Sequence, residues 1–369
     1  EVRDEVMQYL EEDFGNAGSR THDYGRRARA AVERARDRVA TVVDASRGDV
    51  VFTSGATESN NLAILGLARH GEATGRKHIV STAIEHNAVL EPLAELERRG
   101  FQVEYLSPDA GGAIDAGTVR KAVRPDTLLV SVMHVNNETG VIQPIEEIAS
   151  ILNRSEAILH VDAAQGFGKE LRGLRNTRIN LISISGHKIH APKGVGALVV
   201  RRRDGARPPL ESLMYGGGQE RGWRPGTLPV PLIAGLGKAA ELALDECDTR
   251  ARRCREFRHQ LLAGLAPLQS AINGDPDRCV PHIVNLSIPG VDAETAIEAW
   301  HDLVAISHGA ACTSQTYTCS HVLSAMGLPN WQQDGALRLS WCHFTPMPDF
   351  RAMVEAIERA RRESRSVIR

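Results

Sequence analysis

The chain has 369 residues with 44 Lys and Arg against 46 Asp and Glu, a formal net charge of −2, so neither a nucleic-acid polyanion nor an acidic lipid surface attracts it globally. That length exceeds what one hydrophobic core usually serves, and with 42% hydrophobic residues two domains are expected. No apolar run reaches the ~20 residues of a membrane span, and the opening Glu1-Val2-Arg3-Asp4 reads as neither signal nor transit peptide. A cytoplasmic location follows, with no membrane and no constitutive nucleic-acid partner.

In chain order, an opening helix is expected to end near Glu12, a Gly-Asn loop follows, and Arg26 to Val43 reads as an Ala/Arg-rich amphipathic helix. Strand-like apolar runs recur at Val50-Thr53, His78-Thr82, Val103-Leu106, Leu128-His134, Ile158-Asp162, Leu181-Ser185 and Val195-Val200, with helical stretches such as Ser59-Ala68 and Ala88-Arg98 between them. The alternation predicts an α/β fold with a mostly parallel sheet. After a Gly/Pro-rich stretch from Gly216 to Pro231, one long helix is expected from about Ile233 to Leu265 as the link between domains. The remainder mixes strands near Ile283-Ile288, Leu303-Ser307 and Ala336-Ser340 with helices near Glu294-Trp300, His321-Met326 and Asp349-Arg362. The expected division is a large domain over 1–245 and a smaller α+β C-terminal domain over 246–369.

In open α/β sheets ligands bind beyond the carboxyl ends of the strands, so the residues after each apolar run carry the information. Ser54-Gly55-Ala56-Thr57 stands between a strand and a helix, where free amides and the helix dipole favour a phosphate; an ordinary N-cap made by Ser54 or Thr57 explains the run equally well. No G-x-x-x-x-G-K-[ST] and no G-x-G-x-x-G is present, which weakens nucleotide readings. Lys188, in Ser185-Gly186-His187-Lys188, follows an apolar strand, and burial there favours the neutral amine that condenses with an aldehyde. Asp162 ends another strand and is the acid that keeps a pyridinium nitrogen protonated. His86 can stack on a flat ring, and Asn137 and Gln165 can hydrogen-bond a ring oxygen, although each has an ordinary role as a cap or turn residue. Lysine, carboxylate, phosphate cradle and stacking ring are together what pyridoxal phosphate requires.

With these residues in view, the chain resembles the NifS-like cysteine desulfurases, a branch of the class V aminotransferase family. The carrying segments are Phe52-Thr53-Ser54-Gly55-Ala56-Thr57-Glu58-Ser59, Glu85-His86, His134-Val135-Asn136-Asn137-Glu138-Thr139-Gly140, His160-Val161-Asp162-Ala163-Ala164-Gln165, Ser185-Gly186-His187-Lys188, Arg224-Pro225-Gly226-Thr227 and Ala311-Cys312-Thr313-Ser314. The resemblance implies a fold-type-I pyridoxal-phosphate enzyme acting as a homodimer. Lys188 would hold the cofactor, His86 stack on its ring and serve as a proton shuttle, and Asp162 face the ring nitrogen. Asn137 and Gln165 would lie near the phenolic oxygen. Ala56, Thr57, Ser185 and His187 would contact the phosphate, and Thr227 would reach the partner subunit's cofactor. Asn16 and Arg338 match positions that bind the carboxylate of the substrate, L-cysteine.

Sulfur transfer adds the need for a thiolate, and the resemblance gives Cys312 that role, with persulfide passed to a sulfur-acceptor protein of unknown identity. Cys319 is the alternative thiol. Cys312 and Cys319 with His308 and His321 match no zinc-ligand spacing, so no metal is expected. A selenocysteine lyase or another pyridoxal-phosphate C–S lyase, in which Cys312 is dispensable, is the rival enzyme; a docking scaffold with vestigial catalysis is the rival outside catalysis. The family's Ser-Leu-Gly-Arg stretch after the carboxylate-binding arginine reads Ser340-Trp341-Cys342-His343 here. The run Gln315-Thr316-Tyr317-Thr318-Cys319 looks like desulfurases of DNA sulfur modification, while iron-sulfur clusters and transfer RNA stay open as destinations.

Overall fold

A computed structural model describes residues 1–308 and 320–367. The chain falls into two compact units, the first made of Glu1–Leu106, Ala116–His134 and Pro144–Cys247, the second of Ser107–Asp115, Val135–Gln143 and everything described from Asp248 onward. Two segments of the first half thus contribute to the second unit, which a single cut in the sequence cannot express.

The first unit is built on seven strands: β1 (Val50–Thr53), β2 (His78–Thr82), β3 (Gln102–Leu106), β4 (Thr127–Met133), β5 (Ile158–Asp162), β6 (Leu181–Ser185) and β7 (Gly196–Val200). Their order is β1-β7-β6-β5-β4-β2-β3, and every neighbouring pair is parallel except those made by β7, which runs antiparallel to both β1 and β6. Helices cover the sheet, so all strands but the edge strand β3 are buried along their whole length and are mostly apolar, with buried polar residues such as Ser131, His160 and Ser183 paired to one another. One core beneath them joins Val51, Leu62, Ile64, Ile79, Leu93 and Leu128.

At the opposite edge, β1 would leave its outward amides unpaired. Phe52 N donates to Glu220 Oε2 at 2.7 Å, and Glu220 is gripped by Arg36 through Nη1 and Nη2 at 2.8 and 2.7 Å; Arg36 Nη1 also donates to Val50 O. The pair is buried, and Glu220 and Arg221 sit at φ 47° and 62°, in the left-handed region that non-glycine residues avoid. The carboxylate therefore closes the sheet edge and pins the glycine-rich stretch to it at once.

The single long helix expected from Ile233 to Leu265 is two helices, Val230–Asp245 and Cys247–Leu265, because Glu246 leaves helical geometry at φ −104° and ψ 6°. The break falls where the units divide. Ile233, Leu236 and Ala240 are buried on one side of it, and Phe257, Leu261 and Leu265 belong to the core of the second unit. That second unit carries β8 (Ala271–Ile272), β9 (Ile283–Ser287), β10 (Ser307–His308) and β11 (Ala336–Ser340), ordered β10-β11-β9-β8 and wholly antiparallel. The strand expected over Leu303–Ser307 shortens to β10, since Leu303 and Val304 spend their amides on Trp300 O. Trp300 is fully buried, with Nε1 donating to Met353 O at 2.9 Å. Among the described residues no helix is long and apolar enough to cross a membrane.

Removing one partner of a buried ion pair strands the other charge, which typically costs ~3–5 kcal/mol. Glu220→Ala is therefore expected to lower unfolding free energy by about that amount in urea titration. A loss below ~1 kcal/mol, the value of a surface pair, contradicts the role given to this carboxylate.

Candidate active site

Thr53 at the end of β1 and Ser185 at the end of β6 both pair with Gly196 of the reversed strand between them. A side chain at Gly196 would meet Gly55 Cα at 2.6 Å and Ile184 O at 2.3 Å, so glycine is what allows the Ser54–Thr57 turn to fold over β7 toward β6. Gly55 itself sits at φ 154°, and a Cβ there would lie 3.7 Å from Ser185 Oγ. Ser185 Oγ lies 3.0 Å from His187 Nδ1, and burial and the nearby Lys188, Lys193 and Lys169 hold His187 below its usual range.

The helix Ala56–Leu65 starts at Gly55 with no side-chain cap. The ordinary N-cap reading of Ser54 and Thr57 therefore does not hold. Ser54 N instead donates to Glu58 Oε2 at 2.7 Å, and Glu58 Oε1 accepts from Arg224 Nε at 3.0 Å, which ties the turn to the Arg224-Pro225-Gly226-Thr227 stretch. The start of a helix with uncapped amides, bordered by a serine hydroxyl and an imidazole, has the donor set of an anion cradle.

Asp162, the last residue of β5, is 5% exposed. Burial pushes its carboxyl up, opposed by the Ala164 amide at 2.9 Å, the Asn60 side-chain amide at 2.8 Å, and the positive charges of His86 and Lys188. Lys188 is partly buried in the short turn Gly186–Ile189 after β6. His86 is exposed and caps the helix Asn87–Arg98, its Nδ1 accepting from Ala88 N at 3.0 Å, so it is both a cap and a neighbour of Asp162. Two residues before Asp162, His160 bridges Ser131 Oγ of β4 at 2.8 Å and Ser183 Oγ of β6 at 2.9 Å; full burial drives it down to about 3, and it is neutral.

Asn60 escaped the sequence reading. Its signal was available: Ser59, Asn60 and Ala63 form the inward stripe of their helix, and a polar stripe facing a sheet demands partners. Glu85 was read only as part of a motif, yet it is fully buried, with Oε1 accepting from Thr82 Oγ1 at 2.7 Å and Met133 N at 2.8 Å.

Of the remaining expected residues, Asn16 is exposed in its loop and accepts from Gly18 N at 2.8 Å through Oδ1, Gln165 is half-buried three residues after Asp162, and Thr227 is exposed. Asn137 and Arg338 belong to the second unit, where Arg338 Nη1 donates to Asn137 O at 3.0 Å. Cys312 and Cys319 lie outside the described residues.

The profile of the family described as Aminotransferase class-V matches residues 1–352. The chain belongs to this family. Cysteine desulfurase IscS of Vibrio cholerae serotype O1 (strain M66-2) is 43% identical over 96% of this chain and 88% of that protein. Among solved structures, DndA from Streptomyces lividans matches with TM-score 0.83 and 52% identity, covering 94% of this chain and 96% of that one. A NifS-like protein matches with TM-score 0.87 and 34% identity over 98% and 94%. The mixed, mostly parallel seven-stranded sheet is that of fold-type-I pyridoxal-phosphate enzymes. The residues fit the cofactor: a buried carboxylate held by an amide and the Asn60 side chain suits a protonated ring nitrogen, and the uncapped helix start suits a phosphate.

Burial pushes Glu85 up to about 8, against the hydrogen bonds from Thr82 and Met133. Between the ~4.3 of an unfolded Glu and that value the folded chain holds a proton the unfolded chain has released, so stability falls as pH rises through this window. Glu85→Gln is expected to remove the decline, a difference on the order of a few kcal/mol between urea titrations at pH 5 and pH 8.5. Parallel stability curves for the two proteins contradict this.

Proposed function

We propose that the chain is a pyridoxal-phosphate-dependent cysteine desulfurase in which Lys188 holds the cofactor and Cys312 takes the sulfur. L-cysteine and the Cys312 thiol become L-alanine and a Cys312 persulfide, which balances without any further reactant. The observation that carries the reading is the buried Asp162 carboxylate at the end of β5, under the charges of Lys188 and His86, in a chain 43% identical to proteins named cysteine desulfurase.

Bound pyridoxal phosphate supplies an aldehyde that captures an amine and a protonated ring that draws electrons from the substrate carbon. Asp162 keeps the ring nitrogen protonated, and Asn60 and the Ala164 amide fix its carboxylate for that task. Ala56, Thr57, Ser185 and His187 hold the phosphate, Asn137 and Gln165 orient the phenolic oxygen, and His86 stacks on the ring and shuttles a proton. Lys188 would hold the aldehyde and would serve as the base for the substrate's Cα proton. Asn16 and Arg338 hold the substrate carboxylate, the arginine through its planar fork.

The enzyme acts as a homodimer in the cytoplasm, Thr227 reaching the phosphate in the partner subunit. In support, Thr227 is exposed, and the stretch before it presents Leu213, Met214 and Tyr215 to the surface, the last 96% exposed. The persulfide passes to an acceptor protein. DNA phosphorothioate modification is the favoured destination, because identity to DndA, 52%, exceeds that to IscS, 43%.

Cys312→Ala is expected to retain the visible absorbance of the cofactor and its change on adding L-cysteine, to form no persulfide, and to lose alanine production on the order of 10²-fold or more. Lys188→Ala is expected to lose the covalent cofactor adduct trapped by borohydride and located by peptide mass. Undiminished alanine and sulfide from Cys312→Ala would mark a C–S lyase of the selenocysteine-lyase kind instead.

A further inference from the structure

The residues on either side of 309–319 are anchored within the second unit, and both anchors lead to Arg338. On one side, Ser307 pairs with Arg338 and His308 with Leu337 in the β10–β11 ladder. On the other, Ser320 is buried and its hydroxyl donates to Glu138 Oε2 at 2.5 Å. Glu138 follows Asn137, whose carbonyl accepts from Arg338 Nη1 at 3.0 Å. The carbonyl of Glu138 accepts from Asn285 Nδ2 at 3.3 Å, and Asn285 is the cross-strand partner of Arg338 in β9–β11.

Glu138 is 3% exposed, and burial pushes its carboxyl up while the Ser320 hydroxyl and the charges of His321 and Arg338 oppose the rise. An acid buried this deeply costs stability even when satisfied, and none of the roles in the desulfurase reading employs it. Its hydrogen-bond partner is the residue that opens the chain after 309–319, and it feels the charge of the arginine given to the substrate carboxylate.

We propose that Ser320 and Glu138 are positioning residues for sulfur transfer, their hydrogen bond fixing the chain where it resumes after 309–319. The proposal rests on the desulfurase reading and concerns one step. The Cys312 thiolate forms an S–S bond to the substrate sulfur as the C–S bond breaks; the carbon keeps the electron pair and takes up a proton. Attack of this kind needs the reacting atoms ~3–3.5 Å apart and aligned, and a displacement of about 1 Å can cost ~10²-fold. Pairing Ser307 with Arg338 on one side and holding Ser320 on Glu138, next to the Arg338-bonded Asn137, on the other is a direct way to meet that demand.

Ser320 has a second task, which substitution can separate from the first. It caps the helix His321–Ala325, its Oγ accepting from Leu323 N at 3.1 Å. Ser320→Ala removes both bonds; Ser320→Asp keeps the cap but sets a second carboxylate against Glu138; Ser320→Thr keeps both.

The test uses the holoenzyme mixed with L-cysteine in a single turnover, following cofactor absorbance for the early half-reaction and alkylation with mass analysis for the Cys312 persulfide. Ser320→Ala and Ser320→Asp are each expected to slow persulfide formation about tenfold or more while the absorbance change stays within about twofold in rate. Ser320→Thr is expected to behave as the unsubstituted protein, and Ser320→Ala with Glu138→Ala to be no slower than either alone, since one interaction is lost once. Persulfide at the unsubstituted rate in Ser320→Ala, or rescue by Ser320→Asp, overturns the proposal and leaves Ser320 as a helix cap. If Ser320→Ala loses both signals through misfolding, the Asp and Thr variants, which keep the cap, decide. Should the unsubstituted protein show no absorbance change with cysteine, the desulfurase reading fails, and the proposal with it.

Discussion

The first unit is organised around one costly group, the carboxylate of Asp162, held out of water at the end of β5. Left alone in such a place a carboxyl takes up a proton, and burial does push Asp162 up, but four neighbours oppose it: the Ala164 amide, the Asn60 side chain, and the charges of His86 and Lys188. These four come from the turn after β5, the helix after β1, the turn after β2 and the turn after β6. A sheet whose strands end at one level is what brings them together, and the reversed strand β7, with glycine at position 196, lets the cradle turn after β1 lie beside the lysine turn after β6.

Much of this was legible in the sequence because it follows local rules. Buried parallel strands are near-continuous apolar runs, and polar residues at and after their ends mark the ligand edge, so Asp162, Lys188, His86 and the Ser54–Thr57 turn stand out in the sequence. The helix Ala56–Leu65 was expected to begin several residues later, and its uncapped start was undecided against a plain N-cap, because the question turns on where the Ser54 amide goes. Asn60 and Glu138 were passed over for a related reason. Each is a polar residue within an element or motif, and its importance comes from a partner 102 or 182 residues away, Asp162 or Ser320, which no local pattern records.

The break at Glu246 and the two segments that join the second unit show a different limit. Helical periodicity runs almost without interruption from Ile233 to Leu265, and only the demand that each half bury its apolar face in its own core places the break. Likewise Val135–Gln143 reads in sequence as the exit of β4, yet its residues pair within the second unit, Val141 with Cys279 and Gly140 against Ile283. Asp162, Lys188, His86 and the Ser54–Thr57 turn belong to the first unit, while Asn137, Ser320 and Arg338 belong to the second.

The measurement that bears most directly on this account is the pyridoxal-phosphate affinity of Asp162→Asn, taken with its thermal unfolding in the cofactor-free form. Asparagine accepts the Ala164 amide as aspartate does and can meet Asn60 turned over, since Asn60 Oδ1 has no other partner among the described residues. The cofactor-free variant should therefore melt at or above the temperature of the unsubstituted protein, relieved of a buried charge, while cofactor affinity falls by about tenfold or more for want of the charge that holds the ring nitrogen protonated. Unchanged cofactor affinity in a folded variant would contradict the claim that the site is built around this carboxylate.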